Sequence, residues 1–185
     1  GYSINADSPT GNADSLYRID LATGAETRVA TVKSLGQTRL DTEGLAFAPD
    51  GTLYGLDDDA LTLFALNPDN AVVQAGSEFL IQGLPLGGGN DFGMTFACDG
   101  SLYVSSIATG SLYRMDLQGK ATLIGAQGSL NPAKINALAA WGNPVQLYGL
   151  GNGADAQGDP ATPNLYQINP ANGTTSLIGP LGPAA

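Results

Sequence analysis

Histidine is absent from this chain, and cysteine occurs once, at Cys98. Without imidazole there is no Ser-His-Asp triad, no His-ligated zinc and no histidine pH switch, so any chemistry falls to carboxylates, amides and hydroxyls. A lone cysteine closes no intrachain disulfide, and in FACDG, Phe96 to Gly100, it reads as a small buried residue rather than a reactive thiol. Positive charge is also scarce: 7 Lys and Arg against 17 Asp and Glu leave a formal charge of -10. Backbone binding to DNA or RNA needs clustered cations, which excludes nucleic acid as a partner. No apolar run approaches the roughly 20 residues of a transmembrane helix. No signal peptide is visible, though Gly1 is an unusual initiator and leaves room for a removed presequence. Acidity, low lysine and abundant Asn, Gly and Thr point to an extracellular, cell-surface or periplasmic location.

Apolar residues make up 43 % of the 185 positions, enough for one well-packed domain despite 26 glycines and 11 prolines. Those glycines and prolines stand at turn-like stretches such as Pro49-Asp50-Gly51, where they punctuate short strands and interrupt any helical period. Ser15 to Gly24 reads SLYRIDLATG, and Ser111 to Gly119 reads SLYRMDLQG. Their Leu-Tyr pairs belong to a series, Leu16-Tyr17, Leu63-Phe64, Leu112-Tyr113 and Leu165-Tyr166, at intervals of 47, 49 and 53 residues. A second series, Leu53-Tyr54, Leu102-Tyr103 and Leu147-Tyr148, follows the turns PDG, CDG and WGNP that begin at Pro49, Cys98 and Trp141. Before those turns come GLAFA from Gly44, GMTFA from Gly93 and ALAAW from Ala137.

Each unit of about 45 to 50 residues therefore holds four short strands, A to D, the period and strand count of a β-propeller blade. The expected fold is all-β, a propeller-like array of four-stranded antiparallel blades with about three and two-thirds blades visible. It is read as one propeller or partial propeller domain over 1–185, with approximate blades at 1–31, 42–75, 91–125 and 136–179. An open array would expose apolar faces and strand edges. Three explanations remain: a piece of a larger propeller, a self-sufficient four-bladed disc, or a part completed by another copy or another chain. In SLYRID, Tyr17 and Ile19 share one face while Leu16 and Arg18 share the other, as expected of a blade with neighbours on both sides. The same regularity assigns the repeated tyrosines to blade packing, and Trp141, at the end of an A strand, is expected to pack at the short-turn face.

The stretches Asp50 to Tyr54 (DGTLY), Asp99 to Tyr103 (DGSLY) and Leu16 to Gly24 resemble the repeats of secreted bacterial β-propeller proteins, in the broad YVTN, NHL and WD40-like propeller group. The resemblance covers nearly the whole chain and implies fold, because this architecture serves enzymes and passive modules alike.

Antiparallel order places the A–B and C–D turns on one face and the B–C and D–A connections on the other. The first set is short and uniform. The second is long and irregular, with Asn5 to Asp14, Gly76 to Asp91 and Asn152 to Asn164, as expected of a binding face on a rigid scaffold. Candidate binding residues there are Asp57, Asp58, Asp59, Asn90, Asp155 and Asp159. Glu43, Asp91 and Asn136 each stand just before an A strand, where side chains would be directed toward a central channel. Oxygen donors from several loops are what Ca2+ requires. TEG, Thr42 to Gly44, also resembles the Glu-Gly that opens an inner strand in the calcium-dependent gluconolactonase and related esterase propellers. That resemblance implies Ca2+ held by Glu43, Asp91 and Asn136, with the ion polarising a lactone or ester carbonyl and Glu43 or Asp91 activating water.

The leading expectation is a non-catalytic binding or structural module, with no cofactor, that engages a protein or glycan at a cell surface. The alternative is the calcium-dependent lactone or ester hydrolase.

Overall fold

A computed structural model describes residues 1–5, 14–34, 37–38 (main chain), 42–58, 60–84, 91–151 and 163–181. Those residues hold strands, bridges and turns, and among them no helix is long and apolar enough to cross a membrane. The expected Asp59, Asn90, Asp155 and Asp159 lie outside the described residues.

The chain forms two compact units. Unit one, Gly1–Ile81 with Leu117–Gly119, begins with an antiparallel sheet of β1 (Tyr2–Asn5), β2 (Ser15–Ile19) and β3 (Glu26–Thr31) in that order. Its second sheet is built from β4 (Lys33–Ser34), β5 (Gln37–Thr38), β6 (Thr42–Phe47), β7 (Leu53–Asp57), β8 (Thr62–Asn67), β9 (Val72–Val73) and β10 (Phe79–Leu80). The order is β5-β4-β9-β8-β7-β6, with β10 beside β8, and β4 meets β9 in parallel through Lys33 and Val72. The blade expected over 42–75 is thus widened by β4, β5 and β10, which come from the connecting segments. Their two-residue length explains why no period in the sequence announces them.

Unit two, Gln82–Asp116 and Lys120–Ala185, holds two four-stranded antiparallel meanders. The first is β11 (Phe92–Phe96), β12 (Leu102–Ser106), β13 (Ser111–Met115) and β14 (Ala121–Ile124). The second is β15 (Ile135–Trp141), β16 (Gln146–Gly151), β17 (Asn164–Ile168) and β18 (Thr175–Pro180). These are blade-type sheets, and the chain is an all-β propeller array.

Both Leu-Tyr series lie in strands for the reason given by their alternation. In β13, Leu112, Tyr113 and Met115 are buried on two faces while Arg114 is exposed. Within unit one, Leu16 packs with Leu53, Phe64 and Leu66 of the next sheet. Within unit two, Tyr103 and Leu112 pack with Ile135, Leu147 and Ile168. Each such fully buried aliphatic side chain contributes about 1.5 to 3 kcal/mol, so sheet-on-sheet stacking is the main stabilising term within each unit.

Two side chains differ from expectation. Cys98 is exposed, because it stands in the turn between β11 and β12, where the chain reverses away from the packed faces. Trp141 is 74 % exposed at the end of β15 rather than packed.

Candidate functional site

The repeated carboxylates have a local role. Asp20 closes SLYRID, and its Oδ1 accepts hydrogen bonds from the N–H groups of Ala22 (2.8 Å) and Thr23 (3.2 Å). Asp116 closes SLYRMD and accepts from Lys120 N–H at 2.9 Å. Asn67 and Asn169, at the same place in the other two sheets, accept from Asp69 and Ala171, each at 2.9 Å. A short side-chain oxygen that mimics a main-chain acceptor is how Asp and Asn set turns. The DG turns repeat the device: Asp50 accepts from Thr52 N–H and Asp99 from Ser101 N–H, both at 2.9 Å. The Thr52 N–H, followed by its hydroxyl, holds the Asp50 carboxyl below its ordinary value; Ser101 acts likewise on Asp99, with a smaller part from Arg114.

A carboxyl whose pKa is lower in the folded than in the unfolded chain stabilises the fold above its unfolded pKa, and that contribution is lost as pH falls through the folded value. The urea midpoint should therefore fall as pH drops from about 5 to about 2, and the Asp50→Asn, Asp99→Asn double variant should show a smaller fall, because an amide oxygen still accepts but no longer titrates. Equal falls in both chains would count against these turns as part of the acid sensitivity.

A second group is buried. Thr42 opens β6 opposite Asp57, the last residue of β7, and Asp57 is in turn opposite Thr62, the first residue of β8. Thr42, Asp57 and Asp58 are 0 %, 1 % and 7 % exposed. Asp57 Oδ1 accepts from Ala60 N–H at 2.6 Å, fixing the β7–β8 turn. Asp14, 1 % exposed just ahead of β2, accepts from Thr42 N–H at 2.6 Å and so ties the first sheet to the second within unit one. Asp14, Asp57 and Asp58 all have further interactions. Sequence reasoning singled out Asp57 and Asp58 as a binding surface and missed Asp14. Their burial makes them an internal polar row that joins strand ends. The one signal for Asp14 was its place immediately before a Leu-Tyr strand.

Glu43 and Asn136 lie inside strands rather than before them. The pairing of β6 with β7 shifts register between Thr42 and Gly44, and that of β15 with β16 between Ile135 and Ala137. Each residue is thus the extra one of a β-bulge, half-buried, at the same place in a first strand. Asp91 does precede its strand; its side chain is exposed, and its carbonyl accepts from Ile107 N–H at 3.1 Å. Glu43 belongs to unit one, Asp91 and Asn136 to unit two. Among the described residues no group of three or more carboxylates or thiols gathers closely enough to hold a metal ion.

No curated protein matches the sequence. Solved structures do match in fold. An auxiliary nutrient binding protein from Bacteroides ovatus is 12 % identical with a TM-score of 0.60, over 95 % of this chain and 43 % of that one. Virginiamycin B lyase from Staphylococcus aureus is 15 % identical with a TM-score of 0.54, over 98 % and 55 %. A chain of a nidogen/laminin complex is 18 % identical with a TM-score of 0.55, over 91 % and 57 %. The chain spans about half the length of these structures. At such identities the likeness is one of fold. The family model described as a repeat of unknown function, DUF6923, matches residues 4–126, more than half of the sequence, and the chain belongs to that family.

Proposed function

We propose that the chain is a non-catalytic binding or structural propeller module that works outside the cytoplasm on a protein or glycan partner. The observation that carries this reading is the use of the repeated acidic and amide residues as turn acceptors and strand ties, seen at Asp20, Asp50, Asp99, Asp116 and Asn169, with Asp14 and Asp57 buried. Side chains committed to main-chain N–H groups build a rigid scaffold, and a rigid scaffold with irregular connections is suited to recognition. The fold likeness to a nutrient-binding protein agrees with this reading. Pull-down from a native envelope fraction tests it: replacement of residues 85–90 and 152–162 by Gly-Ser segments of equal length, which leaves β10 and β17 in place, should abolish capture of the partner. Capture unchanged by both exchanges would remove the irregular connections from the interface.

A second reading is a Ca2+-dependent lactone or ester hydrolase in which Glu43 or Asp91 is the water-activating carboxylate. It is favoured by the two β-bulges, a backbone feature found next to active sites because it re-aims a side chain. Calcium titration by calorimetry, with a lactone and aryl-ester panel, distinguishes the two readings. The hydrolase requires a calcium-dependent rate that Glu43→Gln or Asp91→Asn lowers by about a hundredfold or more.

A further inference from the structure

A polar layer caps the apolar contact between the two sheets of unit one. Leu16 of β2 packs on Leu53, Phe64 and Leu66 of the second sheet, with Leu45 beside them. Alternation along β7 and β8 carries the same face to Asp57 and Thr62, and the bulge at Glu43 brings Thr42 into their row. Directly opposite residues of an antiparallel pair hold their Cβ atoms about 4.5 to 5.5 Å apart, so the two hydroxyls flank the Asp57 carboxylate. Asp14, two residues before Leu16, stands on the side of the first sheet that meets this row and accepts from Thr42 N–H at 2.6 Å.

The hydroxyls of this row are enclosed without hydrogen bonds. Thr42 is 0 % and Thr62 9 % exposed, and the Oγ1 atom of each lacks a hydrogen-bonding partner. An unmade hydrogen bond at a buried hydroxyl is destabilising, so two of them beside one carboxylate point to a ligand that uses both oxygens. The blade repeat does not demand such a layer. By register, the equivalent places in unit two hold Ile135 for Thr42, Gly151 for Asp57, Asn164 for Thr62 and Gly110 for Asp14, with no carboxylate among them. Arg28, the guanidinium that reaches Ser15 beside Asp14, donates to the hydroxyls of Ser15 at 3.1 Å and Thr31 at 2.6 Å.

We propose that this layer is a Ca2+ site that joins the first and second sheets, with Asp14 and Asp57 as carboxylate donors and Thr42 and Thr62 as hydroxyl donors. All four offer hard oxygen, the donor that Ca2+ takes in a flexible sphere of six to eight ligands. Two carboxylates suffice, because main-chain carbonyls and water complete such a sphere. Mg2+ fits less well: it demands a near-ideal octahedron and gives up its water reluctantly, whereas these donors are fixed by strand register and enclosed. A divalent ion also offsets the cost of holding Asp14 and Asp57 out of water, each 1 % exposed. The site is separate from the hydrolase reading, in which Glu43 or Asp91 activates water. Here the ion holds two sheets together and takes no part in a reaction.

The test uses the 185-residue chain, freed of metal with a chelator, and titrates CaCl2 and MgCl2 by calorimetry. The expected result is saturable binding of Ca2+, weaker binding of Mg2+, and a urea midpoint that rises with Ca2+ because the ion binds the folded chain. The Thr42→Val, Thr62→Val double variant should bind Ca2+ about tenfold or more weakly. Its calcium-free urea midpoint should equal or exceed that of the parent, since a methyl replaces each unpaired hydroxyl, an outcome that a purely structural role for the hydroxyls does not give. Asp57→Asn is the second variant: its amide oxygen can still accept from Ala60 N–H, but the lost charge should weaken Ca2+ binding by a similar factor or more. No saturable Ca2+ binding to the parent chain, or parental affinity in the double variant or in Asp57→Asn, would overturn the proposal. Binding that is lost in Glu43→Gln or Asp91→Asn and kept in the double variant would likewise overturn it, and would assign the ion to the hydrolase reading instead.

Discussion

Gly125→Ala should lower stability by about 3 kcal/mol or more, the sum of a conformational and a steric cost. Gly125 has a φ of 71°, in the left-handed region that an L side chain enters at a cost of about 1 to 2 kcal/mol. An added Cβ would also overlap the carbonyl oxygen of Asn172 and lie 2.6 Å from its carbonyl carbon. Those atoms are main chain, fixed in the turn that Asn169 caps by accepting from Ala171, so the conflict cannot be relieved by rotating a side chain. Gly24 is the matched control, with a φ of 73° and nothing within 4 Å of its added Cβ. Gly24→Ala should therefore show the conformational cost alone, about 1 to 2 kcal/mol. Urea unfolding of the two variants measures the difference, and equal losses would show that the turn around Asn172 moves freely.

Phe64→Ala is expected to cost about 3 to 5 kcal/mol. Phe64 is fully buried and packs with Leu16, Leu53, Leu66 and Val73 in unit one. Its ring lies over Gly55, the residue opposite it in the β7–β8 pairing; a Cβ on Gly55 would overlap Phe64 Cζ. The third sheet solves the same problem differently, with Val104 opposite Tyr113. Restoring volume from the other strand should then help: Gly55→Val combined with Phe64→Ala should be less destabilised than the sum of the two single changes, because each alters the same space. Strict additivity would show that the ring does not rest on Gly55. Phe64 also replaces the tyrosine found at Tyr17, Tyr113 and Tyr166, so Phe64→Tyr places a hydroxyl in an apolar cluster and should be destabilising by about 1 to 3 kcal/mol unless it finds an acceptor.

Much of the fold was legible because blade repeats are local. Leu16-Tyr17, Leu112-Tyr113 and Leu165-Tyr166 announce strands through a period of two, and Asp20, Asp116 and Asn169 announce the following turns through a side-chain acceptor a few residues from its donor. The short strands β4, β5 and β10 were not legible, since each has only two residues; β4 and β10 gain their places by pairing with β9 and β8, and β5 by pairing with β4. The bulges at Glu43 and Asn136 were equally hidden. A bulge is a mismatch between two strands and has no meaning within one.

Burial divided the candidate residues in the same way. Asp57 and Asp58 read as acids of a B–C loop on the irregular face, and Cys98 read as buried because cysteine usually is. The structure reverses both: Asp57 is enclosed where strand ends of the second sheet meet, and Cys98 is carried out by a turn. Trp141 gives the same lesson. Residue type marked it as a large packing group, and position along β15 agreed. Its exposure depends on what stands across from that strand, a relation between distant segments that composition and spacing do not encode. Local order along the chain thus set the strands and the turns that join them, while contacts between strands far apart in sequence set which side chains are enclosed and which are exposed among the described residues.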